Sequence, residues 1–134
     1  MKRYLGLLVL LFTIGCNDIA VTSFEGDDFG SYKMTVSSDD GNAKGKVRTA
    51  FAESGNFKFD DTVAGIRLPY SKTYTAAINV TATAFTSYTD ETVGTFAPYT
   101  VKLQIFRSNI LEGEKLVLVG HRGAEVSFDL SMNK

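Results

Sequence analysis

Thr73-Tyr74-Thr75-Ala76-Ala77-Ile78-Asn79-Val80-Thr81-Ala82-Thr83-Ala84-Phe85 is the longest alternating run in the chain. Tyr74, Ala76, Ile78, Val80, Ala82 and Ala84 fall on one face, and Thr75, Asn79, Thr81 and Thr83 on the other. Alanines alone would suit a helix. The period of two and the Val, Ile and Thr content decide for a strand, because β-branched side chains lose rotamer freedom against a helical turn. The run therefore reads as one long strand with a buried face, and its small alanines predict close approach by a neighbouring element.

The same period recurs on both sides. Tyr32, Met34 and Val36 alternate with Lys33, Thr35 and Ser37, and the turn residues Asp39-Asp40-Gly41-Asn42 follow. Val47, Thr49 and Phe51 mark a second strand, Ser54-Gly55-Asn56 a turn, and Phe57 and Phe59 a short third strand ending at Asp60-Asp61. Such regular turn chemistry predicts antiparallel meanders. Pro69 has no backbone donor and belongs at a strand end or edge. Ser87 to Pro98 is polar and reads as the longest loop. Tyr99, Val101, Leu103 and Ile105 form a strand, Arg107-Ser108-Asn109 a turn, and Leu116 to Val119 a return strand. The adjacent apolar residues Val117 and Leu118 predict cover on both faces of that strand. Val126, Phe128, Leu130 and Met132 close the series. Seven to eight strands without a helical pattern predict an all-β fold, a single antiparallel immunoglobulin-like β-sandwich over residues 31–134.

Residues 1–30 read differently. Lys2 and Arg3 precede an apolar run from Tyr4 to Ile14, and Gly15 precedes the only cysteine, Cys16. The run is short for a span of about 20 residues and has the three-part layout of a secretory signal peptide. Thr13-Ile14-Gly15-Cys16 resembles a bacterial lipobox, with cleavage after Gly15 and lipid on Cys16; Leu, Val or Ile is commoner where Thr13 stands. A lone cysteine cannot make an internal disulfide, and a lipid-linked one needs no partner. Stable anchoring takes more than one acyl chain, at ~0.8 kcal/mol per buried CH2, which the lipid of a lipoprotein cysteine supplies. Residues 1–15 are thus the expected signal and 16–30 a flexible tether. Asn17, where Asp would signal inner-membrane retention, points to an outer-membrane lipoprotein of the cell envelope.

Of the 134 residues, 119 remain after such a signal, enough for one domain. With Lys2 and Arg3 removed from 14 basic residues against 15 acidic ones, the remainder carries a net charge of −3. It has no basic cluster, which argues against nucleic acid as a partner.

Ile66-Arg67-Leu68-Pro69-Tyr70-Ser71-Lys72 resembles a segment of the small immunoglobulin-like domain of the MmpS family, accessory proteins of bacterial RND-type exporters. Ile78-Asn79-Val80-Thr81-Ala82, the pair Thr100–Ile105 and Leu116–Gly120, and Ala124-Glu125-Val126-Ser127-Phe128 resemble the strands that follow it there. The chain departs from that family in lacking its membrane helix and cysteine pair, and so is also similar to lipid-anchored domains of Bacteroidetes. The resemblance implies a sandwich domain and association with an envelope protein complex or exporter.

Nothing in the sequence assembles a catalytic set. His121 is the single histidine, between Gly120 and Arg122-Gly123 in a predicted turn, and one histidine without a cysteine partner builds none of the common zinc sites. Asp39-Asp40-Gly41-Asn42 lacks the spaced ligands and closing Glu of a calcium loop and reads as turn chemistry. Asn79-Val80-Thr81 matches a glycosylation pattern but is predicted inside a strand, whereas Asp61-Thr62-Val63 resembles a Bacteroidetes O-glycosylation acceptor in a predicted loop. The binding candidates are Tyr70, Tyr88, Phe96 and Tyr99 around the long loop, where aromatics either contact sugars or proteins or seal the ends of the core. No catalytic residue, metal or cofactor is expected beyond the covalent lipid. The expected function is that of a lipid-anchored envelope binding or accessory module without catalysis, with a structural or adhesin-like surface lipoprotein as the alternative.

Overall fold

A computed structural model describes residues 29–133, which form eight strands. They are β1 (Phe29–Ser38), β2 (Lys44–Glu53), β3 (Asn56–Arg67), β4 (Tyr70–Ala77), β5 (Ala82–Asp90), β6 (Tyr99–Arg107), β7 (Ile110–Val119) and β8 (Glu125–Met132). Two four-stranded antiparallel sheets pack together, with strand orders β4-β1-β6-β7 and β3-β2-β5-β8. The chain is an all-β sandwich of eight strands. Its first two strands lie in different sheets, whereas the immunoglobulin order sets them side by side. Gly15, Cys16 and the expected signal and tether lie outside the described residues up to position 28. Phe29 and Gly30 pair with Ala77 and Ala76 of β4, so the sandwich begins inside the segment expected to be tether.

The alternating run from Thr73 to Phe85 is two strands. Thr73–Ala77 ends β4 in one sheet and Ala82–Phe85 begins β5 in the other, with the crossing at residues 78–81. Side-chain parity survives the crossing, since Tyr74, Ala76, Ala82 and Ala84 are all buried in the same cluster. Ile78 plugs the corner, and Gly30 leaves it room, because a Cβ at residue 30 would meet the Ile78 side chain at 2.6 Å. The Ser54 N–H donates to the Thr81 carbonyl (3.1 Å) and fixes the corner to the neighbouring hairpin. Asn79 is accordingly in a turn rather than in a strand.

The predicted meanders are also corrected. Only the β2–β3 and β6–β7 connections are hairpins, and the other five links change sheets. The third strand does not stop at Asp60-Asp61. Arg48 holds Asp60 with two hydrogen bonds of 2.8 Å, and Asp61 accepts the Tyr74 hydroxyl at 2.6 Å, so both acids are accommodated within β3. Asp61-Thr62-Val63 therefore lies in a strand, not a loop. β5 likewise continues through Ser87 to Asp90, because a strand flanked by β2 and β8 can bury threonines and serines in the ladder. The long loop shortens to residues 91–98.

The core is two apolar clusters. One gathers Val36, Val47, Tyr88, Tyr99, Val101 and Leu103 at the loop 91–98 end. The other gathers Tyr32, Met34, Phe51, Tyr74, Ala84 and Ile105. Between them, Asp61, Thr49, Thr86 and Phe128 form one row across the four strands of a sheet. Phe128 packs against both clusters.

Candidate functional site

Loop 91–98 is built on a buried carboxylate. Asp90 ends β5 on its inner face and is 3 % exposed. Its carboxylate accepts from the Tyr99 hydroxyl (2.5 Å), the Gly123 N–H (3.1 Å), and both the N–H and hydroxyl of Thr92. Burial alone pulls the Asp90 carboxyl upward, but these donors outweigh it and hold the group below its ordinary value. The Tyr99 hydroxyl is pushed upward by burial and by its bond to Asp90, and that of Tyr88, 2.8 Å from Tyr99, is raised by burial.

The remainder of the loop is tied on both sides. Arg122 donates to the carbonyls of Thr92 (2.8 Å) and Gly94. The Glu91 N–H donates to the Lys44 carbonyl (2.8 Å), and its carboxylate accepts the Gly65 N–H (2.8 Å). Such fastening holds a groove open beside the loop, of about 380 Å³, walled by Asn42, Lys44, Arg67, Thr92, Thr95 and Phe96, among others. Tyr99 also lines it, and the Phe96 ring lies 6.2 Å from the Tyr99 ring.

The four candidate aromatics have separate fates. Tyr88 is fully buried and Tyr99 nearly so, which makes them the plugs of this end of the core, not exposed contacts. Tyr70 is half-buried against the same cluster, and Phe96, like Tyr99, both packs in that end of the core and walls the groove. His121 is exposed, with Nδ1 3.0 Å from the Arg122 carbonyl. Asp39-Asp40-Gly41-Asn42 is the β1–β2 turn, with the Asn42 N–H donating to the Asp40 carboxylate (2.9 Å).

Lys44 and Arg67 were not legible as a pair. They face each other across the β2–β3 ladder because two one-residue register shifts, between Phe51 and Ala52 and between Gly45 and Val47, carry Lys44 past Gly65 to Arg67. Bulges of that kind leave no mark in hydrophobic periodicity. Gly45 at the second shift is the one local hint. A Cβ there would overlap the Thr89 carbonyl oxygen and the Tyr88 ring.

A second surface stands out on β7, the outermost strand of its sheet. Leu116 and Leu118 are 67 % and 64 % exposed, and Ile110 and Leu111 at its start are exposed too. Val119 and the half-buried Val117 turn toward the core, whereas the alternating Leu116 and Leu118 do not. This corrects the expected cover on both faces. Beside Leu116 lies a cleft of about 410 Å³ lined by Ser37, Ser38, Asp39, Thr100 and Lys102. Comparison with protein-family models and with curated proteins finds no match to this chain.

Proposed function

We propose that the chain is a lipid-anchored binding module of the cell envelope, held at the outer membrane through Cys16 and serving an envelope protein complex. The observation that carries the partner half of this reading is the β7 edge. A free strand edge offers unpaired backbone donors and acceptors, and monomeric proteins usually blunt it with charge, proline or a covering loop. Here Glu112, Glu114 and Lys115 charge the middle of the edge strand, but its second half presents Leu116 and Leu118 on the solvent face, and an extended segment of a partner paired with β7 would add a strand and cover both leucines. The anchor half rests on the lipobox-like Thr13-Ile14-Gly15-Cys16.

The test uses the full chain in its membrane. Cys16→Ala should abolish lipid labelling and release a folded domain from membranes. Leu116→Lys with Leu118→Lys should leave labelling and circular dichroism unchanged and remove a stoichiometric partner from cross-linked complexes. A Cys16→Ala protein that stays membrane-bound in high salt rejects the anchor. Cross-linked complexes that survive both lysines reject the β7 site, and a labelled, surface-exposed chain with no partner favours the structural surface lipoprotein.

A further inference from the structure

We infer that the groove beside loop 91–98 is a binding site for an acidic saccharide, a pyranose bearing a carboxylate. Lys44 and Arg67 are directly opposite each other in the β2–β3 ladder. Like charges in that relation destabilise a sheet, and among the described residues neither cation has an acid within ion-pair distance. Asp40, whose carboxylate accepts the Asn42 N–H, also lines the groove, so Lys44 and Arg67 leave its wall with an excess of positive charge. A ligand anion would relieve the repulsion, and guanidinium offers a carboxylate a fixed two-pronged donor while ammonium adds a point charge.

The other walls select the kind of anion. Asn42, Thr92 and Thr95 supply an amide and hydroxyls suited to ring hydroxyls, while Phe96, Val93 and Ala97 supply an apolar wall for a sugar's C–H face. About 380 Å³ lies at the small end of ligand pockets and far exceeds a bare inorganic anion. Loop 91–98 is already fastened through Asp90, Glu91 and Arg122, so binding would order little additional chain. The residues of this site are not those of the β7 surface, so it stands or falls separately from the partner reading.

Calorimetric and NMR titration of the full chain in detergent micelles tests this with glucuronate, glucose and inorganic phosphate. Glucuronate should bind, with glucose and phosphate each at least about tenfold weaker, and Lys44→Gln or Arg67→Gln should weaken glucuronate by roughly tenfold each. Phe96→Ala should weaken glucuronate and leave any residual phosphate binding alone. Arg67→Glu places opposite charges across the ladder, so it should raise the melting temperature while abolishing glucuronate binding, which separates loss of the site from loss of the fold. Absence of glucuronate binding overturns the inference, as does binding indifferent to Lys44 and Arg67. Phosphate binding as tight as glucuronate and indifferent to Phe96→Ala overturns the saccharide assignment.

Discussion

Asp90 carries a charge in a place where an unpaired carboxylate would be expelled, and four donated hydrogen bonds keep it there. Its folded-state pKa lies below the ordinary value. A depressed acid contributes its stability in full above the unfolded pKa of about 3.9 and loses it as pH falls through the folded value. The melting temperature should therefore hold steady from neutrality to about pH 4 and drop below that. Asp90→Asn should lower it at pH 7 and make the acid limb shallower, in thermal melts followed by circular dichroism. An equally steep acid limb in the variant would remove Asp90 from this account. Nothing in the sequence singles Asp90 out from Asp60 or Asp61. Its role depends on Tyr99 and Gly123, which come from other parts of the chain and meet it only in the folded sandwich.

Among elements, the two true hairpins are distinguished by backbone handedness. Ser54 and Gly55 have φ of 48° and 82°, and Ser108 and Asn109 have 50° and 65°. Consecutive left-handed residues make the tight two-residue turn whose twist matches paired strands. Turn composition alone cannot make that distinction, since Asp39-Asp40-Gly41-Asn42 looks equally turn-like and instead carries the chain between sheets. Gly55→Ala should cost about 1 kcal/mol in urea unfolding, from forcing a Cβ into left-handed backbone. Gly41→Ala has no atom within 4 Å of the added Cβ and should be silent. Equal effects at the two glycines would defeat this explanation. Alternation located the strand segments well; it did not locate the corner at residues 78–81, because a chain that crosses between two sheets with its parity preserved still alternates.

At the scale of the whole molecule, the polar residues Asp61, Thr49 and Thr86 form a row between the two core clusters, and Phe128 ends the row and bridges them. Tyr74 reaches across from the facing sheet to bond Thr49 (2.8 Å) and Asp61 (2.6 Å), and burial together with the Asp61 bond pushes its hydroxyl up to about 12. Thr86 is the exception, because its hydroxyl is buried without a partner among the described residues. Thr86→Val should stabilise the sandwich by about 1 kcal/mol, by removing an unsatisfied donor while keeping the branched shape. Chemical denaturation reads this directly, and a destabilised variant would mean that the hydroxyl has a partner in solution.

The run from Thr73 to Phe85, with its neighbours, determined that this chain is built of strands, which faces turn inward and that no helix is needed. Those properties are local, since a period of two and β-branched side chains act over a few residues at a time. Only the tertiary structure decided that the run is shared between two sheets, that Tyr88 and Tyr99 are buried in the core, and that Leu116 and Leu118 are exposed on a strand that is outermost among the described residues. It also decided that Lys44 meets Arg67. Strand order and ladder register are set by contacts between residues far apart in the chain, and periodicity along one strand contains no record of which strand will lie beside it.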